Sequence, residues 1–255
     1  MDFGLEDVHV LVTGASGGIG LEAAKLYCAI GAKVTAHYNA QFGPLEKLSQ
    51  TYPNLRIVQS DLSNKASVVN VLGTSDNLVQ VLVDVPLADM TLQRWNHAIS
   101  TSLTSSFLVC REYLKHLKNA TPEAKETAVI LLIGGAAGKH GEAGHADYAA
   151  TKSAMMYGLM MTLENKIIGI APKGRVNTVA PGWVKIPMAE IPLSNPRILY
   201  SALATTPLKK IAMPLDIANQ IVGLSSLMVS GHVTGQVLMV DGGMEGSLSN
   251  KPEDI

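Results

Sequence analysis

No apolar run in the 255-residue sequence approaches the ~20 residues that a membrane span requires. The chain also opens without a charged segment leading into an apolar stretch, so neither a secretory leader nor an anchor is expected and the protein reads as soluble and cytoplasmic. Cysteine is scarce. Cys28 and Cys110 both sit among apolar neighbours in helical patterns, which favours buried thiols over a disulfide or a nucleophile. No cluster of Lys and Arg occurs and the net charge is −1, which argues against a nucleic-acid or anionic-membrane surface and leaves small molecules as the expected partners. His140 and Glu142 have the His-x-Glu spacing of a zinc deaminase, but the Cys-x-x-Cys that such a site needs does not follow, so no metal is expected.

What the chain does have is apolar residues, 47% of the total against 16% charged, a balance that suits a compact α/β protein. Short β-branched runs recur along its length: "VHVLVTG", "AKVTAHY", "RIVQSD", "VQVLVDV", "AVILLIGG", "GRVNTVAPG" and "QVLMVDGG", with helical patterns between most of them. Near-continuous apolar strands alternating with helices predict a doubly wound parallel β-sheet covered on both faces. No break in composition divides residues 1–255 into two domains. Residues 119–127, "NATPEAKET", read as a polar surface connector. Residues 185–214 carry five prolines, too many for one long helix, and are expected to form a mobile flap over a pocket.

"TGASGGIG" follows the first strand and opens the first helix, placing Gly14, Gly18 and Gly20 at the turn. Glycine there lets the backbone bend sharply and lets a pyrophosphate approach exposed N–H groups at the helix start. A tight strand-to-helix turn without a ligand is the plainer alternative; the position behind a first strand favours a dinucleotide. Further on, Tyr148 and Lys152 lie at i and i+4 and share one helix face. Such a pair also arises by chance, but an ammonium beside a phenol favours phenolate and is expected to lower the tyrosine from about 10 towards neutrality, giving a usable acid and base. The methionines 155, 156, 160 and 161 follow on the same helix and read as core or subunit-interface packing.

Taken together, "TGASGGIG", "SDLS", "YAATK", "VAPGWV" and "HVTGQVLMVDGG" make the chain resemble the short-chain dehydrogenase/reductase family over essentially its whole length. The resemblance implies a Rossmann-like fold of about seven parallel strands, a nicotinamide cofactor and a homo-oligomer, tetramer or dimer, built on the Tyr148 helix and on "FLVCREYLKHLK". It assigns Gly14, Ser16, Gly18, Ile19 and Gly20 to the phosphate end, Asp61 and Leu62 to the adenine, and Pro181, Gly182 and Val184 to the same cofactor. Asp61 also suits a plain strand-end turn. Lys152 would bond the nicotinamide ribose as well as act on Tyr148. Cofactor choice falls at the end of the second strand, where an acid would select NAD(H) by bonding the ribose 2′-hydroxyl. Tyr38 and Asn39 stand there instead, so NADP(H) is favoured over NAD(H), although Gly17 fills a position that is often basic in NADP-dependent members.

The reacting end departs from the family pattern. Its serine donor falls on Gly135, its helix asparagine on Ser102, its Asn-Asn-Ala-Gly turn on residues 84–87, and its carboxamide-binding threonine on Ile186. Losing one preorganised donor typically costs ~2.7–4 kcal/mol, which weakens a reductase without abolishing it. Ser102 is small and hydroxylic enough to keep a water, and His145 or Lys139 are candidate replacement donors, though solvated loop residues are the plainer reading of both. Three readings stay open: an NADP(H)-dependent oxidoreductase acting on a carbonyl, imine or alcohol with Tyr148, Lys152 and Ser102 as catalytic residues; a non-redox enzyme that kept the cofactor pocket; and a cofactor-binding protein without turnover.

Overall fold

The protein was analysed as a computed structural model, described here for residues 2–64, 66–68 and 90–244. Strand β1 (His9–Val12) feeds helix α1 (Gly18–Ala29) through the glycine turn, and α1 returns to β2 (Lys33–Tyr38). Helix α2 (Gly43–Thr51) then leads to β3 (Leu55–Gln59). These three strands pair in parallel in the order β1-β2-β3. The chain resumes with α3 (Leu92–Ala98), a π-helical turn over Ile99–Thr104, and α4 (Ser105–Lys118). The strand expected at "VQVLVDV" and the turn at residues 84–87 lie outside the described residues.

A short helix α5 (Pro122–Glu126), capped by the Thr121 hydroxyl, occupies the segment expected to be an irregular connector. Pro122 stands inside its first turn, where a missing N–H costs nothing. Strand β4 (Val129–Ile133), the short α6 (Ala136–His140) and α7 (Ala146–Ser153) follow, then a second π-helical turn over Ala154–Leu159 and α8 (Met160–Ile167). Strand β5 (Arg175–Pro181) pairs in parallel with β4 on one side and with β6 (Val237–Val240) on the other.

Alternation along the strands explains the layering. Val176 packs with Leu163 and Ile167 of α8, whereas Val179, three residues on, packs with α1 and with Ile217, Ala218 and Ile221 of α11 (Pro214–Ser225). An odd offset in a strand means opposite faces, so β5 is covered by helices on both, and every one of its residues is buried. Cys28 and Cys110 are both buried free thiols, and burial pushes them up to about 11 and about 12. Of the four methionines after Lys152, Met155, Met156 and Met160 are core residues and Met161 is exposed.

Residues 185–214 are not irregular. They form α9 (Pro187–Leu193) and α10 (Pro196–Ala204), and Pro187, Pro196 and Pro214 each stand at a helix start, which the fixed proline φ favours. Where the segment leaves and rejoins the body, Lys185 donates to the Ala212 carbonyl and Ala212 to the Trp183 carbonyl, which ties its two ends together. Among the described residues no helix is long and apolar enough to cross a membrane.

Buried polar side chains fasten β5 to its surroundings. Asn177 donates to the Val233 carbonyl at 2.9 Å and accepts from the Gln236 amide at 3.0 Å. The Arg175 guanidinium donates to the carbonyls of Leu224, Ser230 and Ser225 at 2.7–2.9 Å, which closes the end of α11 and the single turn α12 (Leu227–Ser230). The Ser230 carbonyl also accepts from the Val233 amide at 3.0 Å, whereas those of Leu224 and Ser225 depend more heavily on the guanidinium. Arg175→Ala should therefore lower the unfolding free energy by on the order of 3 kcal/mol or more, read as a shift of the urea midpoint, and Arg175→Lys should recover only part because an ammonium lacks the guanidinium fork. An unshifted midpoint for Arg175→Ala would contradict this account.

Candidate active site

The glycine turn is built by close backbone crossings. Gly14 has φ +64°, a conformation that favours glycine, and its carbonyl accepts from the Gly17 amide at 3.0 Å. A Cβ on Gly20 would run into that same carbonyl, so α1 can seat itself on the turn only with glycine there. Helix α1 has no capping side chain, and its opening amides therefore point out of the helix start as donors. The Ser16 hydroxyl is buried in the turn and finds no partner. A bent, donor-rich turn with a spare buried hydroxyl fits the pyrophosphate of a dinucleotide. Ile19 packs against the core instead of lining the turn with its side chain. Ile186 comes down on Gly18 so closely that a Cβ there would lie 2.5 Å from its Cγ2.

At the adenosine end, β2 delivers Tyr38 and Asn39 next to Gln59 of β3. The Tyr38 hydroxyl reaches Gln59 Oε1 at 3.4 Å, and Gln59 Nε2 donates to the Asn39 carbonyl at 2.7 Å. Asp61 Oδ1 accepts from the amide and hydroxyl of Ser63 at 2.9 and 2.6 Å, so its carboxylate builds the strand-end turn and stays exposed beside it. The Leu62 side chain is buried with Val68 and Leu108, which leaves its backbone as the part that could face an adenine. Pro181 ends β5, and the Gly182 amide donates to the Val240 carbonyl at 3.1 Å. Val184 is buried and bridges to Ala212, so it too offers backbone alone.

The reacting end lies where β4 runs into α6 and meets α7. Lys152 Nζ donates to the Ile133 carbonyl at 2.9 Å and sits 5.3 Å from the centre of the Tyr148 ring. The two glycines after Ile133 differ in kind. A Cβ on Gly134 would lie 2.6 Å from Met156 Cγ and 2.9 Å from Thr178 Cγ2, so packing demands glycine. Gly135 has an extended φ of 176° that any residue adopts, and a Cβ there would lie 3.3 Å from the Tyr148 hydroxyl with only Lys152 Cγ and the Tyr148 ring edge beyond. A serine would fit with a shift of a few tenths of an ångström, and its hydroxyl would stand beside the phenol.

Burial decides the protonation of the pair, against the sequence expectation. It pushes the Tyr148 phenol up to about 12, with the Glu142 carboxylate adding to the rise, and it pushes the Lys152 ammonium down to about 8. Neighbouring charge lowers a phenol only if it outweighs the cost of burying phenolate, and here desolvation is the larger effect. Both side chains are half-buried, and the two shifts run in opposite senses, phenol up and ammonium down.

Ser102 lies in the π turn against which α7 packs, and its carbonyl accepts from the hydroxyls of Ser106 at 2.7 Å and Ser105 at 3.1 Å. A π turn widens the helix and frees carbonyls, and here two serines of the same helix take one of them up. His145 Nδ1 lies 3.2 Å from the Ala143 carbonyl in the loop before α7, and Lys139, expected on a loop, is an exposed residue of α6.

Sequence reasoning missed two supports. Arg94 of α3 donates to Asp147 Oδ2 at 2.9 Å and to the Gly144 carbonyl at 3.3 Å, while Asp147 Oδ1 accepts the Tyr148 amide at 2.9 Å. This pins the loop before α7 and the start of the tyrosine's own helix; the Asp147 carboxyl is held low by its bonds to Arg94 and to the Tyr148 amide, against the effect of burial. His37 Nδ1 accepts the Gly14 amide at 2.9 Å. Neither Arg94 nor His37 belongs to a motif, so spacing alone offers no signal for them.

Comparison with known proteins agrees with this geometry. A family model described as enoyl-(acyl carrier protein) reductase matches residues 14–245. The chain is 30% identical to the 3-oxoacyl-[acyl-carrier-protein] reductase of Chlamydia pneumoniae over 96% of this chain and 99% of that protein. It is also 30% identical to the enzyme of the same name from Vibrio cholerae, over 94% and 98%. A Brucella melitensis short-chain dehydrogenase/reductase, described as a glucose/ribitol dehydrogenase, superposes with a TM-score of 0.81 at 29% identity, covering 95% of this chain and 98% of the other. A Beutenbergia cavernae protein designated an NAD(P)-dependent gluconate 5-dehydrogenase, with bound NADP, gives 0.83 at 25% identity over 95% and 98%. With the glycine turn, the doubly covered parallel strands and the tyrosine–lysine helix all in place, the chain belongs to the short-chain dehydrogenase/reductase family.

Proposed function

We propose that the protein is an NADP(H)-dependent reductase of a carbonyl or imine on a small organic substrate. The observation that carries this reading is the Tyr148 hydroxyl facing Gly135 at the end of β4, with Lys152 fixed beside it on the Ile133 carbonyl. The nicotinamide, when bound, supplies the hydride. Tyr148 donates its proton to the oxygen or nitrogen on which negative charge develops. Lys152 orients the phenol and bonds the cofactor ribose. Ser102, on the π turn behind Tyr148, carries the water that returns the proton. Segment 185–214 acts as a flap whose Ile186 closes over the glycine turn. The relatives are named for reduction of 3-oxoacyl groups, so a 3-oxoacyl thioester is the first substrate to assay.

Tyr38 and Asn39 place no carboxylate at the end of β2, which supports NADP(H) over NAD(H). A half-exposed apolar set, Phe107 on α4, Tyr157 in the second π turn and Met161 on α8, supports a homo-oligomer formed through these helices, and we assign it to the cytoplasm. Light scattering should then give a mass at a multiple of 27.0 kDa, and a monomer mass would remove this part of the proposal.

A second reading, a non-redox step in the same pocket, draws on Gly135: its backbone and surroundings accept a side chain, so the missing donor is not imposed by packing.

Fluorescence titration should show tighter binding of NADPH than of NADH, and Tyr38→Asp should reverse the preference; an NADH preference in the natural protein would refute the cofactor assignment. Tyr148→Phe should lower kcat by ~10²–10⁴-fold with NADPH affinity nearly unchanged. Gly135→Ser, which adds a hydroxyl beside the phenol, should raise turnover by about tenfold or more. Product formed without consumption of NADPH, and persisting in Tyr148→Phe, would overturn the reductase reading in favour of the second.

A further inference from the structure

We infer that His37 is a positioning residue for the dinucleotide turn, holding the Gly14 peptide in its binding orientation through a neutral imidazole. The inference rests on the reading of that turn as the cofactor's phosphate site. Two successive amides of the turn are anchored by this one residue of the neighbouring strand: Gly14 N–H donates to His37 Nδ1 at 2.9 Å, and Ala15 N–H donates to the His37 carbonyl at 2.7 Å. Backbone pairing alone provides the second bond at any residue type. The first needs an acceptor on the side chain, at the height of Nδ1.

Accepting at Nδ1 from a backbone donor requires the tautomer with hydrogen on Nε2, because an imidazolium has no lone pair to offer. The surroundings enforce it. His37 is fully buried, and burial holds the ring at about 3, so it stays neutral at ordinary pH. Nε2 is left buried with no hydrogen-bond partner among the described residues. A leucine or phenylalanine would fill the space without leaving such an atom, so the imidazole is not there for packing alone. Its gain is the orientation of Gly14. That residue has φ +64°, and its carbonyl accepts from the Gly17 amide and sits against Gly20, so rotation of the peptide between Thr13 and Gly14 would displace the whole crossing on which the donor array is built.

The experiment compares His37→Leu, which removes the acceptor, with His37→Asn, whose Oδ1 stands the same number of bonds from the backbone as Nδ1. We expect His37→Leu to weaken NADPH binding by about tenfold or more, with the loss falling on KM for NADPH more than on kcat, and His37→Asn to restore most of it. In cofactor-free protein, exchange of the Gly14 amide with solvent should be slow in the natural chain and in His37→Asn, and faster in His37→Leu. Should His37→Leu fail to fold, nitrogen NMR of the natural protein still decides, since the ring must show hydrogen on Nε2 and a bare Nδ1. Equal NADPH affinity in all three proteins, equal weakening in both variants, or a ring protonated on Nδ1 would overturn the inference. A natural protein that binds neither NADPH nor NADH would overturn the functional reading instead, and Gly14 exchange would then judge the His37 contact by itself.

Discussion

A helix can approach a strand only as far as the side chains between them allow, and the reacting end of this molecule is set by such an approach. Helix α7 lies against the end of β4 because Gly134 and Gly138 carry no Cβ. At Gly134 it would meet Met156, and at Gly138 it would lie 2.8 Å from the backbone of Lys152 and Ser153. Only at that separation does Lys152 Nζ reach the Ile133 carbonyl and the Tyr148 hydroxyl come to face Gly135. The chain around the pair raises the phenol and lowers the ammonium by taking both groups partly out of water.

The pair Gly134–Gly135 looks uniform as sequence and is not so as structure. Packing explains the first glycine completely, since Met156 and Thr178 leave no room for a side chain. Nothing of the kind explains the second, whose backbone is extended and whose Cβ position is open apart from the phenol itself. A donor has thus been given up at a position that could hold one. The supports around it are kept: Asp147 holds the Tyr148 amide, Arg94 holds Asp147, and the π turn carries Ser102 behind them.

Much of the fold was legible because it depends on periodicity. The β-branched runs at 9–12, 33–38, 55–59, 129–133, 175–181 and 237–240 are strands, and the apolar patterns between them are helices. The glycine turn was legible for a related reason, since its geometry needs residues without side chains and their spacing is visible. Where long-range burial decided the outcome, single-sequence reasoning failed. Tyr148 and Lys152 share one helix face, as their spacing predicts, but spacing reports proximity and not desolvation, which raises the phenol. That the Leu62 side chain is core was likewise not legible from its motif. His37 and Arg94 act through partners 23 and 53 residues away, a separation that no local pattern encodes.

The two ends of the site differ in what they are made of, and that difference explains how they can diverge. The phosphate end is backbone: amides at the start of α1, a left-handed Gly14 and a carbonyl crossing at Gly20. Changing it means changing the path of the chain, which the first sheet and α1 do not allow without loss of packing. The reacting end is side chains held on a scaffold, so positions such as Gly135 can change while the strands stay in register. Fold and cofactor geometry are consequently tied to each other, whereas the identity of the reaction is tied to a few positions that packing leaves free. Gly135 is such a position, since its extended backbone and the space beside the phenol admit a side chain.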